Sequence, residues 1–148
     1  MSVALLGYLG LFTAAYVAAT LIPTSSEAVL AGLIVDGRFD RFALLTVALA
    51  GNVLGALTNW AIGRWVAIRG YGRGRIAPKK LARAESWMAK YGMWTLLLSW
   101  LPVIGDPLTL VAGLSRLSFW RFIIPTTIGK AARYVAIMAA AAPFAGPG

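Results

Sequence analysis

From Phe42 to Gly63 the chain runs 22 residues without a charge. As a helix rising 1.5 Å per residue this run reaches about 33 Å, enough to cross the roughly 30 Å of hydrocarbon in a bilayer. A second run, Phe119 to Ala142, has 24 residues with three charges and is also long enough to span. With 59% of the 148 residues hydrophobic and 13% charged, the chain is too apolar for a soluble fold, and an all-α integral membrane protein is expected.

Two other apolar blocks are interrupted: Val3 to Val35 at Pro23, and Met93 to Leu114 between Pro102 and Pro107. In the second of these, about nine residues precede Pro102 and about eight follow Pro107. Each piece has half the length of a span, so a re-entrant hairpin broken by Pro102, Gly105 and Pro107 is expected. Backbone released at such a break must be satisfied by protein or a water-filled cavity, never by lipid. Met1 to Leu21 lacks the basic start and A-x-A site of a signal peptide and reads as retained. It is long enough to span alone, so a full span and a re-entrant arm both stay open.

The two broken blocks repeat one another. Pro23 precedes Glu27 by four residues as Pro102 precedes Asp106, Leu30-Ala31-Gly32-Leu33 answers Val111-Ala112-Gly113-Leu114, and Arg41-Phe42 answers Arg121-Phe122. The offsets are 79, 81 and 80 residues. The chain therefore reads as a single membrane domain, 1–148, of two halves (1–63 and 93–142), each a re-entrant hairpin plus a spanning helix. Between them, the linker 64–92 holds Arg64, Arg69, Arg73, Arg75, Lys79, Lys80, Arg83 and Lys90 against Glu85 alone, which places it in the cytoplasm by the positive-inside rule. The halves are then inverted, and their acid-bearing tips approach the midplane from opposite faces. Pro78 opens an amphipathic helix with Leu81, Ala84, Met88 and Tyr91 on one face, lying on the membrane surface.

Charges at bilayer depth are costly, at about 2.5 to 3.5 kcal/mol each, and should meet one another. Glu27 and Asp106 carry two negative charges, Lys130 and Arg133 two positive, and the sum is zero. The pairing supports a proton-coupled or anion-binding site in which the acids take protons and Lys130 and Arg133 hold phosphate. Static ion pairs that fasten the hairpins are the alternative. Gly51, Gly55, Asn59 and Gly63 recur every four residues and form a packing groove, for an internal helix or for a homo-oligomer. Asn52 is a candidate cavity residue, and Trp100 is the tryptophan expected to touch the site.

The residues also exclude functions. The chain has no Cys and no His, which removes thiol and imidazole catalysis, disulfides and zinc sites, and neither metal nor cofactor is expected. The net charge of +9 sits between apolar runs, so its partner is anionic lipid and not nucleic acid. Gly105-Asp106 partly resembles the GxGD signature of intramembrane aspartyl proteases, but Val103 stands where the first glycine belongs and the second acid is a glutamate. An enzyme is not expected. A non-transporting scaffold that recruits partners through the basic linker remains as the other class.

Several strings carry a resemblance: Tyr91-Gly92, Leu97 through Pro107 (LLSWLPVIGDP), Ala112-Gly113-Leu114, Trp120-Arg121-Phe122 and Gly129-Lys130-Ala131-Ala132-Arg133-Tyr134. The chain resembles the YqaA-like branch of the DedA (SNARE-associated, VTT-domain) family of bacterial inner-membrane proteins, over about Thr20 to Ala136. The resemblance implies opposed re-entrant hairpins, a multi-pass protein of the cytoplasmic membrane, dependence on proton motive force, and translocation of a lipid carrier such as a polyprenyl phosphate or a phospholipid. Family members carry arginines in the second hairpin where this chain has Trp100 and Gly105-Asp106, which leaves phosphate binding to Lys130 and Arg133.

Overall fold

The computed structural model describes residues 2–20, 26–68, 86–101 and 105–144, which are helical apart from short connections and include no strand. Pro23, Pro102 and most of the basic linker lie outside the described residues. The chain divides into two compact units, Met1–Gly55 with Ala131–Gly148, and Ala56–Lys130.

The first unit opens with α1 (Val3–Thr20), about 27 Å long, started by Ser2, whose hydroxyl accepts the Leu5 amide at 3.2 Å. Helix α2 (Ser26–Asp36) packs against it. Gly37, with φ of 76°, ends α2, its amide donating to the Ile34 carbonyl. Asp40 then caps α3 (Arg41–Ile68): its carboxylate accepts the Ala43 amide at 3.1 Å, and its own amide donates to the Tyr8 hydroxyl. The unit's core joins Leu11, Leu30, Ile34, Leu44, Ala48, Tyr134 and Ala141.

Among the described residues, α3 is the one helix both long and apolar enough to cross a membrane. It continues five residues beyond Gly63, where the uncharged run stops. Arg64 does not end it because its guanidinium lies over the Trp60 ring and donates to the carbonyls of Arg116 and Leu117. The cation finds acceptors without leaving the helix.

The second unit contains the broken block. A short helical segment, 86–91, gives way at Gly92 (φ 61°) to a 3-10 helix, Gly92–Trp100. Leu101 is extended, and α4 (Gly105–Leu114) follows and packs on the 3-10 helix. Nine residues of 3-10 helix and ten of α-helix span about 18 Å and about 15 Å, so each arm has half the length of a membrane crossing. Gly105 begins α4, whereas Pro107, expected as a break, lies inside its first turn, where the missing N–H has no helical acceptor to lose.

Helix α4 ends in a 6→1 bond from the Leu117 amide to the Ala112 carbonyl, with Arg116 at φ 58° in the left-handed position that usually takes glycine. An arginine is held there by its own side chain, which donates to the Ala67 carbonyl at 3.0 Å. Helix α5 (Phe119–Ala141) follows, with Pro125 in its interior, and leads into a 3-10 turn, Ala142–Phe144. Its 23 residues reach about 34 Å, but three cations lower its apolarity. The core of this unit joins Ala56, Met88, Leu96, Leu108, Val111, Ala112, Leu114 and Phe122, with Trp60 stacked on Phe122 at 5.5 Å. Met88 is buried here, but Tyr91, expected on the same face, is 52% exposed.

Candidate functional site

Lys130 is 0% exposed, with its ammonium 3.3 Å from Oδ1 of Asp106, and both belong to the second unit. A buried cation without a counter-charge is strongly disfavoured, and the pair answers that demand. The Asp106 side chain keeps 25% exposure, so the pair is sealed on the lysine side and open on the carboxylate side. Asp106 stands in the first turn of α4, at the end where the helix dipole favours its negative charge by about 0.3–1 kcal/mol.

Neighbouring polar groups fix this acid from behind. The Thr109 hydroxyl donates to the Asp106 carbonyl at 2.6 Å, and Asn59 of α3 donates to the Thr109 hydroxyl at 3.2 Å. Ser99, at the end of the 3-10 helix, donates to the Thr126 carbonyl on α5 at 3.2 Å. Two glycines permit that approach: a Cβ at Gly105 would strike the Ser99 carbonyl, and one at Gly129 would lie 2.7 Å from the Ser99 hydroxyl oxygen. Thr126, wholly buried one turn before Lys130, has a hydroxyl that makes no hydrogen bond among the described residues.

Of the four charges singled out in the sequence, the structure brings Asp106 and Lys130 together. Arg133 is half-buried in the first unit, beside Tyr134 of that unit's core. Glu27 lies in the first turn of α2, and its side chain is outside the described residues. Asn52 donates to the Ala15 carbonyl at 2.9 Å and joins α3 to α1. Trp100 is 46% exposed. A 3-10 helix has three residues per turn, so Leu96 and Ser99 turn inward in one column while Trp94 and Trp100, six apart, turn outward in another.

The packing stripe on α3 serves different partners along its length. A Cβ at Gly51 would come 2.5 Å from the Phe12 carbonyl oxygen, and one at Gly55 would come 2.6 Å from that of Tyr16, both on α1. Gly63 meets the Leu110 carbonyl of α4, and Gly113 of α4 meets the Trp60 carbonyl in return. Sequence reasoning missed Ser99, Thr109 and Thr126. Only the i, i+4 spacing of Thr126 and Lys130 was there to mark one of them.

The VTT domain family model matches residues 22–142. The inner membrane protein YqaA of Escherichia coli (strain K12) is 41% identical over 135 residues, covering 91% of each chain. An uncharacterized protein of Haemophilus influenzae is 36% identical over 143 residues, covering 90% of this chain and 87% of the relative. A more distant relative, undecaprenyl phosphate transporter A of Staphylococcus aureus, is 27% identical over 119 residues, covering 74% of this chain and 59% of its own. No solved structure matches. With a domain match over most of its length and a near-full-length likeness to an inner-membrane protein, the chain belongs to the YqaA-like branch of the VTT-domain (DedA) family and resides in the bacterial inner membrane.

Proposed function

We propose that the chain is a membrane transporter, not an enzyme, which moves a lipid-linked or other anion through the Asp106–Lys130 site with protons as the coupling ion. The observation that carries this reading is the asymmetry of the pair, a fully buried ammonium whose counter-ion is partly open. In the empty state Asp106 neutralises Lys130. Protonation of the carboxylate cancels that attraction and leaves the ammonium to a substrate oxyanion, and deprotonation restores the pair and expels the anion. Anion binding and proton binding are thereby linked through one lysine. Glu27 and Arg133 form the corresponding acid and base of the other half, and the broken blocks enter the membrane as two inverted re-entrant hairpins. The half-length arms of the second block support its part of that arrangement, since neither spans alone. A phosphate-bearing lipid is the favoured substrate because a relative is an undecaprenyl phosphate transporter.

Reconstitution into proteoliposomes tests the reading, with translocation of undecaprenyl phosphate and of phospholipid followed under an imposed proton gradient. The intact chain should move lipid, and Asp106→Asn and Lys130→Gln should fold but not transport. No difference from empty vesicles would leave the pair as an internal fastener. A scaffold whose charges are structural predicts recovery of function when both partners are replaced together, as in Asp106→Leu with Lys130→Met. A transporter stays inactive in that double variant.

A further inference from the structure

We propose that the Thr126 hydroxyl is a further ligand-binding group, which donates a hydrogen bond to an oxyanion oxygen of the phosphate group that Lys130 receives once Asp106 has left it. The inference rests on the anion-site reading above and adds to it a residue that supplies direction where Lys130 supplies charge.

Thr126 is wholly buried, and its hydroxyl oxygen has no hydrogen-bond partner among the described residues. A buried hydroxyl without a partner is disfavoured, and valine would fill the same volume without that cost. A threonine inside a helix ordinarily turns its hydroxyl back to a carbonyl three or four residues earlier, as Thr13 and Thr46 do at 2.8 Å. Thr126 does not, and its backbone carbonyl is occupied by the Ser99 hydroxyl.

Its position relative to Lys130 gives the idle donor a use. The two residues are four apart on α5 and lie on one face, about 5–6 Å between Cβ atoms. Helical side chains lean toward the N-terminus, so the Lys130 stem runs back over the turn that carries Thr126. Gly129, between them, bears no side chain to screen the hydroxyl and is closed instead by Ser99. An ammonium is a point charge that attracts an anion without orienting it, and a hydroxyl one helical turn away fixes a second oxygen. Access is through Asp106, the member of the pair with residual exposure.

The test uses the full chain in maltoside micelles, with binding of dodecyl phosphate and of inorganic phosphate measured by calorimetry alongside thermal unfolding. Thr126→Val should weaken binding about 5- to 20-fold while leaving the melting temperature unchanged or higher, and Thr126→Ser should stay within about twofold of the intact chain. Thr126→Ala provides a second hydroxyl-free variant should valine fold poorly. Weakened binding of dodecyl phosphate alone assigns the hydroxyl to a lipid head group, and equal weakening of both probes assigns it to phosphate from either source. Native affinity in the valine and alanine variants, or a serine variant as weak as valine, overturns the role of Thr126 while Lys130→Gln still reports on the anion site. An intact chain that binds neither probe overturns both proposals.

Discussion

The two units solve the same packing problem with different interiors. In the first, α3 meets α1 through Gly51 and Gly55, and Asn52 is the buried polar side chain among the described residues whose bond crosses that contact. In the second, α3 meets α4 through Gly63, and the surrounding interior holds Asn59, Thr95, Ser99, Thr109, Thr126 and Lys130. Close helix contact needs only small residues, and the α1–α3 contact adds to them the buried amide of Asn52. The second adds polar groups that packing does not require, and a buried polar group is stable only when satisfied. Chemistry is therefore expected in the second unit and simple adhesion at the α1–α3 contact.

The sharpest way to break this contrast is to strand Lys130. Asp106→Leu should cost about 3–5 kcal/mol in denaturation experiments, because it leaves a sealed cation without its carboxylate. The double variant with Lys130→Met should regain most of that stability without regaining transport. Next in size is Gly113→Leu, which drives a side chain into the Trp60 carbonyl and should cost about 1–3 kcal/mol or prevent α4 from docking. Asn59→Leu removes the donor to Thr109 and should cost about 1 kcal/mol, with a transport defect larger than the stability loss explains. Asn52→Leu in the first unit should cost a similar amount and leave transport per folded molecule unchanged. The smallest effect is expected at Gly10, where an added methyl meets nothing within 4 Å: Gly10→Ala should stabilise by about 0.5–1 kcal/mol, seen as a raised melting temperature.

The broken block was legible because proline and glycine interrupt an apolar run visibly, and the meeting of Asp106 with Lys130 was legible because isolated charges at depth must find each other. The conformation of the first arm was not legible. Periodicity over Gly92–Trp100 does not separate a 3-10 from an α-helix, and the direction of Trp100 depended on that distinction. The continuation of α3 past the uncharged run, to Ile68, was not legible because Arg64 finds carbonyl acceptors 52 and 53 residues further along the chain. Ser99 and Thr126 were missed because a hydroxyl within an apolar run looks the same whether it fills space or waits for a partner. The inverted repeat remains a statement about sequence spacing and stands with the proposed function.

The ion pair also sets an order of events during synthesis. Asp106 leaves the ribosome 24 residues before Lys130, a delay of about 1–5 s at ordinary elongation rates. For that interval the carboxylate has no lysine, and the two half-length arms have no α5 to close over them. The Ser99 bond and the Asp106–Lys130 pair, which join each arm to α5, form only once that helix has been made.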